Sequence, residues 1–338
     1  MSQDEPVSYV VPVRWTDGGQ RDELTAYLAA IAPHCAEVIV VDGSPAEVFE
    51  ANRAAWGHLV DHVRPRAGER WLMGKVAGVR TGLRLASHER VVIADDDVRY
   101  DPEALRRTAA LLAEHDLARP QNYFDPLPWH ARWDTARTLL NRSLGADYPG
   151  TLAVRRSRAL AMGLYDGDVL FENLELIRTV RAHGGSTVAP LDLYVARVPP
   201  SASHFWGQRT RQAYDDFALP LRMALWLAVV PLLALSLLRR RPLLALAPAA
   251  IAVAAAERGR RRAGGVAVFP ATSSLLAPIW VLERGICAWL AVLQRLCLGG
   301  VRYGSSVIPL AAHSERALRR RVRRPAPGGT DRTHAGRG

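Results

Sequence analysis

Three consecutive carboxylates follow directly on a short apolar run. The carboxylates are Asp95, Asp96 and Asp97, and the run, Val91–Ala94, is rich in β-branched residues, which predicts a buried strand. Carboxylates so close together raise one another's pKa unless a positive charge neutralises them. At the carboxyl end of a buried strand in an α/β sheet, where ligands bind, a hard divalent cation suits this task. We therefore expect a metal or ligand site, the alternative being a solvated acidic turn.

Two charged residues earlier in the chain fit the same site. Asp42 directly follows the predicted strand Val38–Val41, where nucleotide-binding α/β folds commonly place an acid, although it would also serve as a helix N-cap. Lys75, the only lysine of the chain, stands at the start of a predicted helix, where the helix dipole disfavours a cation. An anionic ligand or the acidic run would offset this cost. The alternative is a surface lysine.

Two later pairs of polar residues each share one face of a predicted helix. Glu172 and Glu175 lie three residues apart at a helix start, where carboxylates also simply suit the helix dipole. Gln208 and Arg211 have the same spacing. An amide beside a guanidinium can grip a phosphate, and the alternative is a basic stripe on a membrane surface.

The stretch 119–134 combines three prolines and four aromatic residues with polar ones. Its aromatic rings offer flat apolar surface for a sugar face or a lipid, and its prolines limit the conformations of the chain. Trp129, Trp133 and Asp134 are its candidate acceptor-binding residues. A rigid capping loop is an equally good interpretation.

The predicted elements bring the acids to one edge of a sheet. A strand at Ser8–Val13, a helix at Asp22–Ala32 and the strand Val38–Val41 form a βαβ unit, so the sheet is at least partly parallel. Helices are also predicted over 74–86 and 102–115, with Gly78 and Gly82 in the first indicating close packing or the approach of a ligand.

Composition narrows the class of protein. The 338 residues exceed one ordinary domain, the net charge is +11, and the three cysteines have no metal-binding spacing and suggest no disulfide framework. The arginine runs at 239–241 and 258–262 flank apolar segments, which favours anionic lipid head groups as partners. No aromatic-interleaved basic patch is present, so we expect no nucleic-acid partner.

Apolar sequence dominates from Phe217 onwards. Leu219–Leu238 is long enough to span a membrane, Pro242–Ala256 is short and could form a hairpin with it, and Val266–Leu282 is broken by prolines. Glu283–Leu298 has the pattern of an amphipathic interfacial helix. Two to four membrane spans are therefore predicted, and Arg323–Gly338 is predicted to be disordered.

In this order the motifs resemble those of membrane-associated family 2 glycosyltransferases, a group that includes ceramide glucosyltransferases. The resemblance covers about residues 7–300. It implies an α/β GT-A fold, which is a Rossmann-like mixed sheet that binds a nucleotide-diphospho-sugar, with C-terminal membrane helices. The predicted division is a catalytic domain at 1–216, transmembrane or interfacial helices at 217–300, and a basic, partly disordered tail at 301–338.

The resemblance also implies roles for single residues. Asp95-Asp96-Asp97 is similar to the DxD motif, in which Asp95 and Asp97 would bind the donor and its Mn²⁺ or Mg²⁺. The other donor-binding residues would be Asp42, Lys75, Gln208 and Arg211. Glu172-Asn173 stands in the place of the family's acidic pair, with Asn173 where an Asp is usual, so Glu172 is the expected general base and Glu175 the alternative. Gln212 replaces the Trp of the QxxRW motif, and Trp206 is near enough to substitute for it in acceptor binding.

The implied function is transfer of a hexose, with inversion, from a UDP- or GDP-linked donor to a hydroxyl of a lipid, polyprenyl-linked or glycan acceptor. The enzyme would be bound to the cell membrane by a hairpin or several spans, with its catalytic domain in the cytoplasm. A catalytically inactive membrane-bound scaffold is the alternative. A phosphohydrolase of the haloacid dehalogenase type fits less well, because Arg99 stands where that class has Thr or Val.

Overall fold

The computed structural model of the chain describes residues 6–18, 20–241, 243–304 and 306–323. The strands in these residues are β1 (Val7–Val13), β2 (Glu37–Asp42), β3 (Asp61–Val63), β4 (Arg90–Ala94), β5 (Val98–Arg99), β6 (Leu117–Ala118), β7 (Gln121–Phe124), β8 (Thr151–Arg155), β9 (Thr187–Val188), β10 (Tyr194–Arg197), β11 (Val301–Tyr303) and β12 (Ser306–Ile308). The predicted strands at 8–13, 38–41 and 91–94 are thereby confirmed.

Helices surround these strands. They are α1 (Arg21–Ile31), α2 (Ala46–Trp56), α3 (Gly74–Leu85), α4 (Pro102–Ala110), α5 (Trp129–Leu144), α6 (Arg156–Ala161), α7 (Glu172–Ala182), α8 (Ala202–Tyr214), α9 (Pro220–Leu238), α10 (Leu243–Arg261), α11 (Ala271–Leu275), α12 (Ala277–Leu298) and α13 (Glu315–Arg323). The stretch 119–134 is not a capping loop, because it contributes β7 and the first turns of α5.

The central sheet is mixed, with the strand order β3-β2-β1-β4-β8-β6-β9. Strands β1 to β4 are parallel, whereas β8 runs antiparallel to β4. Because parallel strands end at one edge, the ends of β2 and β4 carry Asp42 and the acidic run to the same side of the sheet. A second, small sheet pairs β10 antiparallel with β5 and parallel with β7.

Helix α3 packs closely on the centre of this sheet. A Cβ atom at Gly78 would lie 2.9 Å from the Pro12 side chain, and one at Gly82 would lie 2.3 Å from the Val10 side chain. Close packing is therefore the reason for both glycines, and the approach of a ligand is not. This contact fixes the start of α3, and with it Lys75, against the strand ends.

The C-terminal helices form a layer that packs on α5 and α8. Gly259 of α10 faces the carbonyl of Leu139 in α5, and Gly285 of α12 faces Val229 in α9. Large apolar side chains of this layer are exposed, among them Leu221, Leu238, Leu243, Ile251 and Leu296. One helix of the described residues, α9, is long and apolar enough to cross a membrane by length and composition, with 17% of its apolar stretch buried. The prediction of two to four membrane spans therefore remains a prediction.

The first part of the predicted tail is folded. Strands β11 and β12 form a hairpin, and the chain then runs beside the start of α7, where the backbone N–H groups of Leu170 and Phe171 donate to the carbonyls of Leu310 (2.9 Å) and Ala311 (2.8 Å). Helix α13 packs on α7. The stretch from Arg324 to Gly338, most of the predicted disordered segment, lies outside the described residues.

Candidate active site

The acidic run forms a turn between β4 and β5, hereafter the acidic turn (Asp95, Asp96 and Asp97). Its backbone is held by the Asp95 N–H, which donates to the Gly150 carbonyl at 2.9 Å. The side chains of Asp95 and Asp97 are partly exposed, at 19% and 23%. The turn is thus open to solvent, and it directly follows the strand that the sequence predicted.

Lys75 bridges the acidic turn and the start of α7. Its Nζ contacts the Asp95 carboxylate and lies 2.6 Å from Oε1 of Glu172. Burial alone would lower the pKa of Lys75, but these two carboxylates raise it well above the ordinary value. The predicted donor-binding lysine and the predicted base are therefore brought together.

Arg197 is a member of the site that sequence reasoning missed. Its Nε donates to Oδ2 of Asp97 at 2.8 Å, and its terminal nitrogen lies 3.8 Å from Asp95. Arg197 ends β10, which pairs with β5 directly after the acidic turn. The sequence places it about a hundred residues downstream and in no motif, so only the pairing of β10 with β5 reveals it.

Charge in the turn is only partly compensated. Burial and the neighbouring Asp97 and Asp95 charges raise the pKa of Asp96 to about 6. A hydrogen bond from the Trp15 indole opposes this rise. Burial also raises the pKa of Asp97, although Arg197 opposes the rise. The turn therefore retains affinity for added positive charge.

A divalent cation fits the acidic turn. Oδ1 of Asp97 is buried and accepts no hydrogen bond from the described residues, which leaves an oxygen ligand available. In the same described residues, no group of three or more His, Cys, Asp or Glu side chains is arranged to hold a metal alone. The carboxylates of Asp95 and Asp97 alone are the donor set that Mg²⁺-type sites use when phosphate oxygens of a substrate complete the coordination shell.

Gly150 forms the wall behind the turn. A Cβ atom there would lie 2.9 Å from Oδ2 of Asp95 and 3.2 Å from the Arg197 guanidinium carbon. Its N–H donates to the side-chain oxygen of Asn122 at 2.7 Å. A residue without a side chain is needed here for Asp95 and Arg197 to meet.

Asp42 lies at the same sheet edge but is closed. It is fully buried, one oxygen accepts from the Ser44 N–H at 2.8 Å, and the other accepts from Asn52 at 2.8 Å and contacts His62 at 3.1 Å. Burial would raise its pKa, but the bonds from His62, Ser44 and Asn52 lower it to about 2. Asp42 organises the end of β2, and its carboxylate is not open to a nucleotide in this arrangement.

The two candidate bases are separated. Glu172 faces Lys75, whereas Glu175 is fully buried on another side of α7 and accepts from the backbone N–H of His313 at 2.8 Å. Its second oxygen lies 2.9 Å from Nδ1 of His313. Glu175 therefore holds the C-terminal segment and is not brought to the acidic turn.

Gln208 and Arg211 share the face of α8 that the sequence predicted. Gln208 contacts His204, and the guanidinium of Arg211 lies 5.3 Å from the centre of the Tyr303 ring in β11. The charges of Asp97 and Arg197 both influence the pKa of His204, which burial lowers. The pair is thus held by contacts within α8 and with β11.

Asp215, just after α8, is a second residue that the sequence did not indicate. Its Oδ1 is buried and accepts no hydrogen bond from the described residues. Burial raises its pKa to about 8, with Arg211 opposing the rise and the Asp216 and Glu172 charges adding to it. Its signal in the sequence was only its position after the Gln208–Arg211 pair.

The predicted acceptor tryptophans form one aromatic cluster (Trp129, Trp133, Phe205 and Trp206). Its ring centres lie 5.1–6.5 Å apart. Trp129 and Trp206 are about half exposed, at 54% and 48%. The cluster joins the starts of α5 and α8.

Asp134 is not part of an open acceptor site. Its carboxylate accepts from Arg209 at 2.7 Å, and Arg209 in turn contacts Glu283 of α12. The guanidiniums of Arg137 and Arg209 lower the pKa of Asp134 below its ordinary value, despite burial. This helix-layer cluster (Asp134, Arg209 and Glu283) ties α5, α8 and α12 together.

Part of the chain that contains this site matches a known protein family. Residues 23–164 match the family model described as Glycosyl transferase family 2, a range that contains Lys75, the acidic turn and Gly150. Residues 23–164 thus contain a domain of the family 2 glycosyltransferase type, which confirms the predicted enzyme class for that domain, and the mixed α/β sheet is the one predicted for it. No curated protein sequence matches it.

Solved structures resemble it more distantly. A mannosyltransferase from Pyrobaculum calidifontis, in complex with GDP-Man and Mn²⁺, is 18% identical, with a TM-score of 0.49 over 85% of this chain and 88% of that one. A glucosyl-3-phosphoglycerate synthase from Mycobacterium tuberculosis, with Mn²⁺, UDP and glucosyl-3-phosphoglycerate, is 16% identical, with a TM-score of 0.40 over 60% and 75% of the two chains. Such likeness assigns no ligand to this chain.

Proposed function

We propose that this glycosyltransferase moves a hexose from a UDP- or GDP-linked donor to a hydroxyl of a lipid, polyprenyl-linked or glycan acceptor, with inversion and with Mn²⁺ or Mg²⁺. The observation that carries the proposal is the meeting of Lys75, Glu172 and Arg197 around the open acidic turn. Positive charge for a diphosphate, carboxylates for a cation and a separate carboxylate for a proton lie within one site.

Asp95 and Asp97 would hold the cation, which neutralises the diphosphate leaving group. Lys75 would bind an anionic oxygen of the donor, because its charge is maintained by Asp95 and Glu172. Gln208 and Arg211 would cover the phosphates from α8. Asp42 would act indirectly, by fixing the loop after β2 where the nucleoside binds.

Glu172 would accept the proton of the acceptor hydroxyl as that oxygen attacks the anomeric carbon. Its ion pair with Lys75 orients the carboxylate until the acceptor arrives. Attack from the side opposite the diphosphate inverts the anomeric configuration, which is why one carboxylate suffices as base.

A lipid acceptor at a membrane is the form of the proposal that the surface supports best. Trp129 and Trp206 are exposed, and Asp134, the carboxylate that the sequence offered with them for acceptor binding, is occupied by Arg209. Sugar binding usually needs polar groups beside the ring, whereas an apolar chain needs only the ring. The exposed leucines of α9, α10 and α12 supply a surface suited to the membrane that holds such an acceptor.

One observation favours the inactive scaffold as a second candidate. Asn173, in the place of the family's usual catalytic Asp, donates to the Pro149 carbonyl at 2.9 Å and so has a structural task. The two candidates differ in turnover, which an inactive scaffold would not show.

The deciding experiment uses the full chain in detergent, Mn²⁺, radiolabelled UDP- and GDP-hexoses and a lipid extract as acceptor. Transfer of label into the organic phase, lost in Glu172→Gln with donor binding retained, is expected. Metal-dependent donor binding without any turnover, in wild type and variant alike, would favour the scaffold instead.

A further inference from the structure

Arg197 has an unusual position for a residue of a binding site, because its partners are the acids that a cation needs. Its guanidinium bonds to Asp97 at 2.8 Å and approaches Asp95 at 3.8 Å. The backbone beneath it is fixed, since β10 pairs with β5 and the Val198 N–H donates to the Asp97 carbonyl at 2.7 Å. Only the side chain is free to change partners.

We propose that Arg197 is an exchangeable counter-ion: it neutralises the acidic turn in the metal-free protein and binds the donor diphosphate once a divalent cation holds the carboxylates. The inference rests on the proposed function, because it needs a diphosphate donor and a cation at this turn. It adds a donor-binding residue that the sequence motifs do not contain.

The first reason is competition for one carboxylate. Arg197 occupies Oδ2 of Asp97, while Oδ1 of the same group accepts no hydrogen bond from the described residues. A divalent ion on Oδ1 would stand within a few ångströms of the guanidinium, and two positive charges at such a distance repel strongly in a partly buried site. The cation and the guanidinium therefore compete for Asp97.

The second reason is access. The Arg197 side chain is 28% exposed, whereas Arg209, which also bridges two carboxylate groups, is 2% exposed. A guanidinium displaced from Asp97 stays at the mouth of the site, and its planar fork matches two phosphate oxygens. Arg209 has no comparable exit.

The third reason is the contrast with Lys75. Lys75 lies between Asp95 and Glu172, so it keeps a carboxylate partner if Asp95 turns to a cation. In the part of the chain that the structure describes, every ion pair of Arg197 is with a carboxylate of the acidic turn. Loss of both would leave it unpaired, which favours its transfer to the diphosphate.

The test separates binding of the cation from binding of the nucleotide. Mn²⁺ alone is titrated into full-length detergent-solubilised wild type and Arg197→Gln by calorimetry, and GDP and UDP are then titrated at saturating Mn²⁺. Arg197→Gln should bind Mn²⁺ about three- to tenfold more tightly, because a competing cation is gone, and GDP or UDP roughly tenfold more weakly, because a charge-assisted phosphate contact is lost. These two shifts have opposite signs.

Two variants guard the interpretation. Arg107→Gln makes the same change in charge on the surface, where Arg107 pairs with Asp192 at 3.0 Å, and should leave both affinities at the wild-type value. Arg197→Lys keeps a competing charge but loses the planar fork, so Mn²⁺ affinity should stay near wild type while nucleotide affinity falls by about threefold. Thermal unfolding of each variant checks that it is folded.

Several outcomes would overturn the inference. A parallel loss of Mn²⁺ and nucleotide affinity in Arg197→Gln would make Arg197 a structural support, and unchanged nucleotide affinity in both Arg197 variants would remove it from donor binding. If Arg197→Gln does not fold, Arg197→Lys decides by the same two affinities. Wild-type protein that binds neither GDP nor UDP with Mn²⁺ would instead refute the proposed function, and the inference with it.

Discussion

Two ion-pair clusters of this chain contain the same chemical groups but differ in their access to solvent. In the acidic turn and its partners, the side chains of Asp97 and Arg197 are 23% and 28% exposed. In the helix-layer cluster, Arg209 and Asp134 are 2% and 7% exposed. The two carboxylates also differ in pKa, since burial raises the pKa of Asp97 whereas the guanidiniums of Arg137 and Arg209 lower that of Asp134.

The difference shows which cluster can exchange partners. In the helix-layer cluster the guanidinium of Arg209 satisfies Asp134 and Glu283 within the protein, so removing it leaves buried charge behind. In the acidic turn, three neighbouring carboxylates exceed what Lys75 and Arg197 compensate, and an oxygen of Asp97 is left without a donor in the described residues. We expect the first cluster to act in stability and the second in ligand binding.

The largest expected effect tests the acidic turn and its partners Lys75 and Arg197, hereafter the open cluster. Asp97→Asn should reduce hexose transfer by about a thousandfold or more, because the donor's leaving group loses its cation site. Thermal stability should change little, since the substitution also removes one of three repelling carboxylates. Transfer is measured with radiolabelled donor and stability by thermal unfolding.

The control for Asp97→Asn is Asp192→Asn, the same chemical change at a side chain that is 63% exposed. It should keep wild-type transfer. Full transfer by Asp97→Asn would refute the metal assignment of the acidic turn, and a loss of stability without a loss of transfer would make the two clusters alike.

The next effect tests the helix-layer cluster, hereafter also called the closed cluster. Arg209→Met should destabilise the protein by roughly 3 kcal/mol, because it leaves Glu283 without its guanidinium partner and Asp134 with the more distant Arg137 alone. Unfolding in denaturant measures this loss, and transfer at low temperature should persist in the fraction that stays folded. The matched control is Arg320→Met at an exposed position of α13. An equal midpoint for both variants would show that the helix-layer cluster is not structural.

The sequence predicted the open cluster better than the closed one. Asp95, Asp97, Lys75 and Glu172 lie at strand ends or helix starts, positions that local patterns reveal, and the structure brings them together. Arg197 and Asp215 were missed because their roles depend on the pairing of β10 with β5 and on packing after α8, which no local pattern encodes.

The same limit explains why two predicted site residues lie outside the site in the structure. Asp134 and Glu175 were selected as carboxylates near aromatic or catalytic motifs, but distant partners, Arg209 and His313, occupy them. The prolines of 119–134 suggested a loop, whereas their neighbours extend the second sheet as β7 and begin α5. Local chemistry predicts which residue types are available, and tertiary contacts decide which stay free.

A smaller effect tests Asp42, which shares the sheet edge of the open cluster but is closed like the helix-layer cluster. Asp42→Asn should destabilise the protein by on the order of 2 kcal/mol at neutral pH, since the pKa of Asp42 is lowered to about 2. A carboxyl whose folded-state pKa is depressed stabilises the fold above its unfolded pKa. The difference between variant and wild type should therefore shrink as the pH falls from about 4 to about 2.

Unfolding in denaturant over a series of pH values measures this difference. Asp61→Asn is the matched control, because Asp61 is exposed at the start of β3, and it should show almost no change. A destabilisation by Asp42→Asn that is independent of pH would mean that the shape of the side chain, and not its charge, supports the end of β2.

The smallest effect returns to the wall of the open cluster. Gly150→Ala places a methyl group 2.9 Å from Asp95 and 3.2 Å from Arg197, so these side chains must shift. Transfer should fall by about tenfold, since a small misplacement of groups that hold a substrate is costly in rate. Gly207→Ala, where a Cβ meets no atom within 4 Å, is the control and should keep wild-type transfer. If Gly150→Ala instead lowers only stability, the acidic turn behaves as a closed cluster, and its assignment as the exchangeable one loses support.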